Sequence, residues 1–370
     1  MSAELAGDAA KCVGDILNAT RENVRMKLSW SYRLPKERQI GTRAPVASAD
    51  TVLVAFHYDK ADFFESTLVA FERMTGEERW RTTIPHVINE PVLAQDGSVY
   101  VSSFSGTVHA FDSNGKKLWD CRCGDRNMGK PCLVAGDRLA VAETGGGASK
   151  TWCLDLRTGS IAWAFENHGH SYGLSTNNGR LVHATVLAEG AGVRLHCVET
   201  LSGRSLWAAD SAEWLFQPIV QDQAVLIGAR GSLRAYSLQS GDLLARLDLE
   251  DQEAIDGQML SVGNRIYFGT DSGRVGCASL QSERSFFKVK HSLQSVWFAA
   301  FEGSIRGRPT MTGNAVAVLS QEEGIVLLDP AAGNRLSALK MSKGNGGGLL
   351  YHRDWLYGSL GAEVRAFGPV

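Results

Sequence analysis

The chain has 370 residues, 44% of them hydrophobic, a formal net charge of −2, and 40 glycines against 9 prolines. So even a charge balance gives no electrostatic case for nucleic acid or an anionic membrane surface. No run approaches the roughly 18 unbroken apolar residues that a membrane-crossing helix needs.

Residues 1–24 are read as a first unit. Leu5, Ala9, Cys12, Val13, Ile16 and Leu17 fall at helical spacing and predict an amphipathic helix packed on the rest of the chain. Glu4, Asp8, Lys11 and Asp15 interrupt any apolar core, so a secretory signal peptide is not expected. A cytoplasmic location with reduced thiols is the expectation for the seven cysteines. Cys121 and Cys123 point to one face of a strand, a spacing that rarely bridges well.

Residues 25–370 are read as one β-rich domain, because a phrase recurs along them. Residues 67–80 run from Thr67-Leu68-Val69-Ala70-Phe71-Glu72 through Gly76 to Trp80, and residues 107–119 from Thr107-Val108-His109-Ala110-Phe111-Asp112 through Gly115 to Trp119. The Phe71 position recurs at Phe111, Leu154, Val198, Tyr236, Ala278, Leu328 and Phe367, in steps of 40, 43, 44, 38, 42, 50 and 39 residues. A period of roughly 40–50 residues marks four-stranded propeller blades. These eight positions number the repeats below.

Each repeat opens at a proline, as at Pro45, Pro91, Pro131, Pro218 and Pro309. Four strands are expected: innermost after the proline, then the Ala-Phe strand, the Trp strand and an outer edge. The turn glycine is Gly76, Gly115, Gly159, Gly203, Gly241 and Gly333, and the Trp is Trp80, Trp119, Trp163 and Trp207. The Trp position decays to Ala245, Phe287 and Ser337, and Glu283 stands where the sixth glycine should be. The last repeat ends near Phe367 without a Trp strand, and the segment around Trp30 supplies one. The fold expected is an all-β, eight-bladed propeller closed by its N- and C-terminal strands, with a short N-terminal helix. Closure removes the unpaired edge that is the main liability of a sheet protein.

The phrase Ala-Phe-Asp-x-x-Thr-Gly-x-x-x-Trp resembles the tryptophan-docking repeat of quinoprotein-type (PQQ-like repeat) β-propellers, over about Lys27 to Phe367. The resemblance implies that Trp30, Trp80, Trp119, Trp163 and Trp207 pack between neighbouring blades. It also raises a quinone-dependent dehydrogenase, but this chain has no adjacent cysteine pair and no evident calcium ligand cluster. No cofactor and no metal are therefore expected, and the non-enzymatic branch is favoured. The repeat is similar as well to that of eight-bladed outer-membrane assembly lipoproteins, whose lipidated N-terminus is not expected here.

Asn167-His168-Gly169-His170 is the most metal-like tract, with His183 or His196 as possible companions, but a metal needs three or four supported ligands. A solvated or partner-contacting loop is favoured. Gly145-Gly146-Gly147 and Gly344 to Gly348 lack phosphate-loop spacing and are read as long turns.

The connections between repeats carry the functional hint, since exposed aromatic anchors are what protein-binding hot spots use. One holds Trp214 and Phe216. The longest, between Phe287 and Pro309, holds Trp297, Phe298 and Phe301. Tyr172, His168, His170, His86, Arg126 and Glu90 are placed on the same face. The competing reading plugs the central channel with Trp297, Phe298 and Phe301. The expected function is non-catalytic binding of another protein by a monomeric scaffold, with an inhibitor or immunity-type protein that occludes a toxin or enzyme as a concrete form. The alternative is an enzyme or small-ligand binder using the channel mouth.

Overall fold

The computed structural model describes residues 26–35, 39–60, 63–144, 149–167, 169, 171–187, 192–255, 257–284, 289–344 and 346–370. The predicted N-terminal helix and the His168 and His170 positions lie outside the described residues.

The described residues form six four-stranded sheets and one nine-stranded sheet. The second repeat shows the plan. Val92–Leu93, Val99–Ser102, Thr107–Phe111 and Lys117–Arg122 pair in that order, each antiparallel to the next. The two middle strands are wholly or almost wholly buried, while Lys117–Arg122 alternates exposed and half-buried residues. The Trp strand is therefore itself the outer edge. The expected order needs one correction: a separate strand lies between the proline strand and the Ala-Phe strand.

The nine-stranded sheet joins the first and last repeats. Thr42 and Arg43 bridge in parallel to Gly346 and Gly347. Met26–Arg33 pairs antiparallel with Glu363–Pro369, placing Trp30 opposite Ala366. The N- and C-terminal strands thus share one sheet, as the Trp30 segment predicts. The Gly344–Gly348 tract corrects another expectation, because a strand begins within it at Gly346. Gly346 and Gly347 take positive φ, and a Cβ on either would meet the backbone carbonyl oxygen of Thr42 or Ser359.

The sixth repeat departs most. Arg274–Arg284 and Val289–Ala300 form a long antiparallel hairpin, with Cys277 opposite Trp297. The stretch read as an irregular connection is mostly this strand.

Candidate partner-binding face

The face is built on joints between repeats, and six of the described joints pair a Trp with a turn glycine. The indole Nε1 of Trp119 donates to the Leu156 carbonyl at 2.9 Å, and that of Trp163 to Thr200 at 3.0 Å. Trp30 reaches Arg73, Trp80 reaches Ser113 and Trp207 reaches Leu238, all at 2.9–3.0 Å. Every one of these rings lies over the turn glycine of the following repeat. A Cβ at Gly159 would fall 2.5 Å from the Trp119 ring, and one at Gly76 2.5 Å from Trp30. The glycine thus serves positive φ and close approach together.

Trp297 belongs to this set, which corrects its expected place among the partner contacts or as a channel plug. Its Nε1 donates to the Pro330 carbonyl at 3.1 Å, its ring lies over Gly333, and its side chain is buried. The sixth repeat keeps its Trp at Trp297, not at Phe287, because ten extra residues in the hairpin shift it out of step. Ala245 and Ser337 do occupy the Trp register, opposite Ala235 and Leu327.

Phe298 and Phe301 are half-buried rather than protruding. Phe298 meets Phe268 edge-on with centroids 6.0 Å apart and lies 4.2 Å beneath the Arg274 guanidinium. Phe301 lies 4.8 Å from the Arg335 guanidinium, which also donates to the Ala300 carbonyl at 2.9 Å. Both rings join neighbouring elements.

Like Phe104 at 37%, Trp214 is exposed, at 38% of its surface. Its turn is held firmly. Ser211 Oγ donates to the Glu213 carbonyl at 3.1 Å, and the Glu213 carboxylate receives Arg246 at 2.9 Å and the buried Arg234. The Arg246 and Arg234 hydrogen bonds hold the Glu213 carboxyl below the usual range. Phe216 follows in the strand Leu215–Gln221, half-buried. Tyr172 lies in the strand Ser171–Asn177, with its backbone opposite Ala184. Arg126 and His86 are exposed, and Glu90 is half-buried.

Glu90 leads to a feature that the sequence reading missed. It pairs with Lys130, and both line a cavity of about 430 Å³ with Arg43, Gln217, Gln258 and Arg308. These residues come from several repeats, so the cavity lies on the central channel. Glu90, Lys130, Gln217 and Arg308 each immediately precede a proline, a periodic signal that could have exposed the ring. Arg43 Nε donates to the Ile88 carbonyl at 3.1 Å, and burial lowers its proton affinity.

His183 and His196 are each hydrogen-bonded to a threonine of the core. His183 Nδ1 shares a hydrogen bond with Thr151 Oγ1 at 2.9 Å, His196 Nε2 one with Thr185 Oγ1 at 3.0 Å, and the two rings meet edge-on. Among the described residues no group of three His, Cys, Asp or Glu side chains is placed to hold a metal ion.

A family model described as outer membrane protein assembly factor BamB matches residues 64–214 and 215–339. A protein of that name from Nitrosomonas eutropha is 24% identical over 219 residues, which cover 53% of this chain and 52% of the relative. The chain spans about half the length of the curated relative it matches. The solved structure of BamB from Moraxella catarrhalis aligns with a TM-score of 0.67 at 16% identity, over 93% of this chain and 98% of that one. Quinohemoprotein alcohol dehydrogenase ADHIIG from Pseudomonas putida HK5 aligns with a TM-score of 0.67 at 11% identity, over 93% of this chain and 76% of that one. The computationally designed protein Ika8 gives 0.69 at 14% identity, over 91% and 98%. These three likenesses show the fold, a β-propeller.

Proposed function

Because the chain belongs to the family described as outer membrane protein assembly factor BamB, we propose that it is an eight-bladed, non-catalytic propeller that binds another protein through its connection face. The nine-stranded sheet supports the blade count, since it divides at the Thr42–Gly346 bridge into two blades that join the six four-stranded sheets. The observation that carries the binding role is Trp214, an exposed indole on a turn fixed by Glu213, Arg234 and Arg246. A pre-set aromatic loses little freedom on binding, which is how hot spots gain affinity. Glu90, Arg126 and Phe216 are proposed as further contacts on the same face. No observation favours an inhibitor or immunity-type role over a scaffold role.

Trp214→Ala tests the reading. The variant is expected to keep the wild-type unfolding midpoint and to lose about 2 kcal/mol or more of affinity for the partner that co-purifies with the full chain. Unchanged affinity would move the contact to another face. Fractionation of cells expressing the full chain checks the cytoplasmic location, which recovery with membranes would overturn.

One observation favours a second reading, a small-ligand site in the channel. Arg43, Lys130 and Arg308 converge on one cavity, with Glu90 the sole carboxylate among its described lining residues. An absorption spectrum and elemental analysis of the purified protein test it, and a protein free of any bound group would sink it.

A further inference from the structure

We infer that Cys121 and Cys123 form an oxidative modification site, a dithiol that a hydroperoxide converts into an intrachain disulfide. The two residues stand at the exit of the outer strand Lys117–Arg122. Their side chains share the face that carries Trp119, turned toward the third repeat. Their Sγ atoms are 3.7 Å apart, in van der Waals contact. Cys121 is half-buried and Cys123 buried, so the pair has one open and one sheltered sulfur. The Cys123 amide donates to the Gly106 carbonyl at 2.9 Å, which fixes the backbone beneath the pair. Cys153, Cys197 and Cys277 are buried singly, in different repeats. Spacing alone argued against a bridge, but the side chains meet because the strand ends here and Cys123 turns in.

The asymmetry divides the labour. Cys121, as the accessible thiol, attacks the terminal oxygen of the hydroperoxide. The O–O bond breaks, Cys121 becomes a sulfenic acid, and the other oxygen leaves as an alcohol, or as water from hydrogen peroxide. Cys123 stays a thiol, because burial and the neighbouring Cys121 raise its proton affinity. Its sulfur then displaces the sulfenic hydroxyl, which departs with the Cys123 proton as water. Two thiols have lost two electrons and one hydroperoxide has gained them. The new bond ties the strand exit to Gly124, at the root of the connection that carries Arg126.

The test treats the full chain with one equivalent of hydrogen peroxide, alkylates it under denaturing conditions and maps the peptides. The peptide holding both cysteines is expected about 2 Da lighter than its reduced form, unalkylated, and restored by dithiothreitol. Cys153, Cys197 and Cys277 stay alkylatable. Cys123→Ser should stop at a Cys121 sulfenic acid trapped by dimedone, and Cys121→Ser should react about tenfold more slowly or less. The inference is overturned if the peptide keeps both thiols, gains oxygen as a sulfinic acid, or links two chains.

Discussion

The joint between the third and fourth repeats and the joint between the fifth and sixth solve one problem in two ways. At the first, Trp163 lies over Gly203 and donates to the Thr200 carbonyl. At the second, Ala245 stands in the Trp register and has no indole to offer. There the neighbour's hairpin is longer, and Leu293 of the strand Val289–Ala300 is buried in one cluster with Leu226, Leu233 and Ala235 of the fifth repeat. Leu244, Ala245 and Leu280 pack against the same cluster. One joint adds a docked indole and the Thr151–His183 hydrogen bond to its apolar cluster, and the other relies on apolar area without an indole. A repeat can therefore lose its signature residue and keep its place, provided the next repeat covers the gap.

Substitutions can break this comparison. Trp297→Ala removes a buried ring and its hydrogen bond, and about 3–5 kcal/mol of stability should go with it in urea unfolding. Leu293→Ala should cost about 2–4 kcal/mol at the joint that lacks a Trp. A cost below about 0.5 kcal/mol would show that the hairpin does not replace the indole. Ala245→Trp, which restores the repeat consensus, is expected to destabilise by about 1–3 kcal/mol, because Leu293 already fills the space. A stabilised Ala245→Trp protein would mean that the slot stands open.

Acid sharpens the contrast. Burial holds His183 well below its ordinary value, with His196 adding to the effect, and holds His57 at about 3. Depressed folded values mean that the unfolded chain takes up protons first as pH falls. Stability is full above about pH 6.5 and declines below it toward pH 3, by up to about 1.4 kcal/mol per pH unit for each such histidine. Amides around His183 should therefore lose hydrogen-exchange protection at about pH 5, while those around Leu293 keep theirs. Equal loss at both joints would refute the assignment. The smallest effect is expected at the exposed Arg194–Asp210 pair, 2.5 Å apart, where Asp210→Ala should cost at most about 1 kcal/mol and less in high salt.

Much of the fold was legible because its joints rest on residue types with few substitutes. Gly76, Gly115, Gly159 and Gly203 must be glycine for both φ and clearance, so they recur at fixed distance from a Trp. Trp297 escaped because its partner Cys277 sits across a hairpin lengthened by ten residues, and spacing carries no register once a hairpin grows. The candidate face was less legible still. Trp214 could be named from its place in a connection, but its support by Arg234 and Arg246 arises from strands that come later in the chain. Arg43 and Arg308 meet across a channel that no local window spans.

The pairing of Trp30 with Ala366 also sets a clock. These residues are 336 positions apart, 366 less 30, so the outer strand of the last sheet is made first and used last. At about 5–20 residues per second, the ribosome leaves Met26–Arg33 without its partner strand for roughly 20–70 s. Throughout that interval the nascent ring carries an open seam, and closure waits for the strand Glu363–Pro369, a delay that a chaperone or a premature stop can intercept.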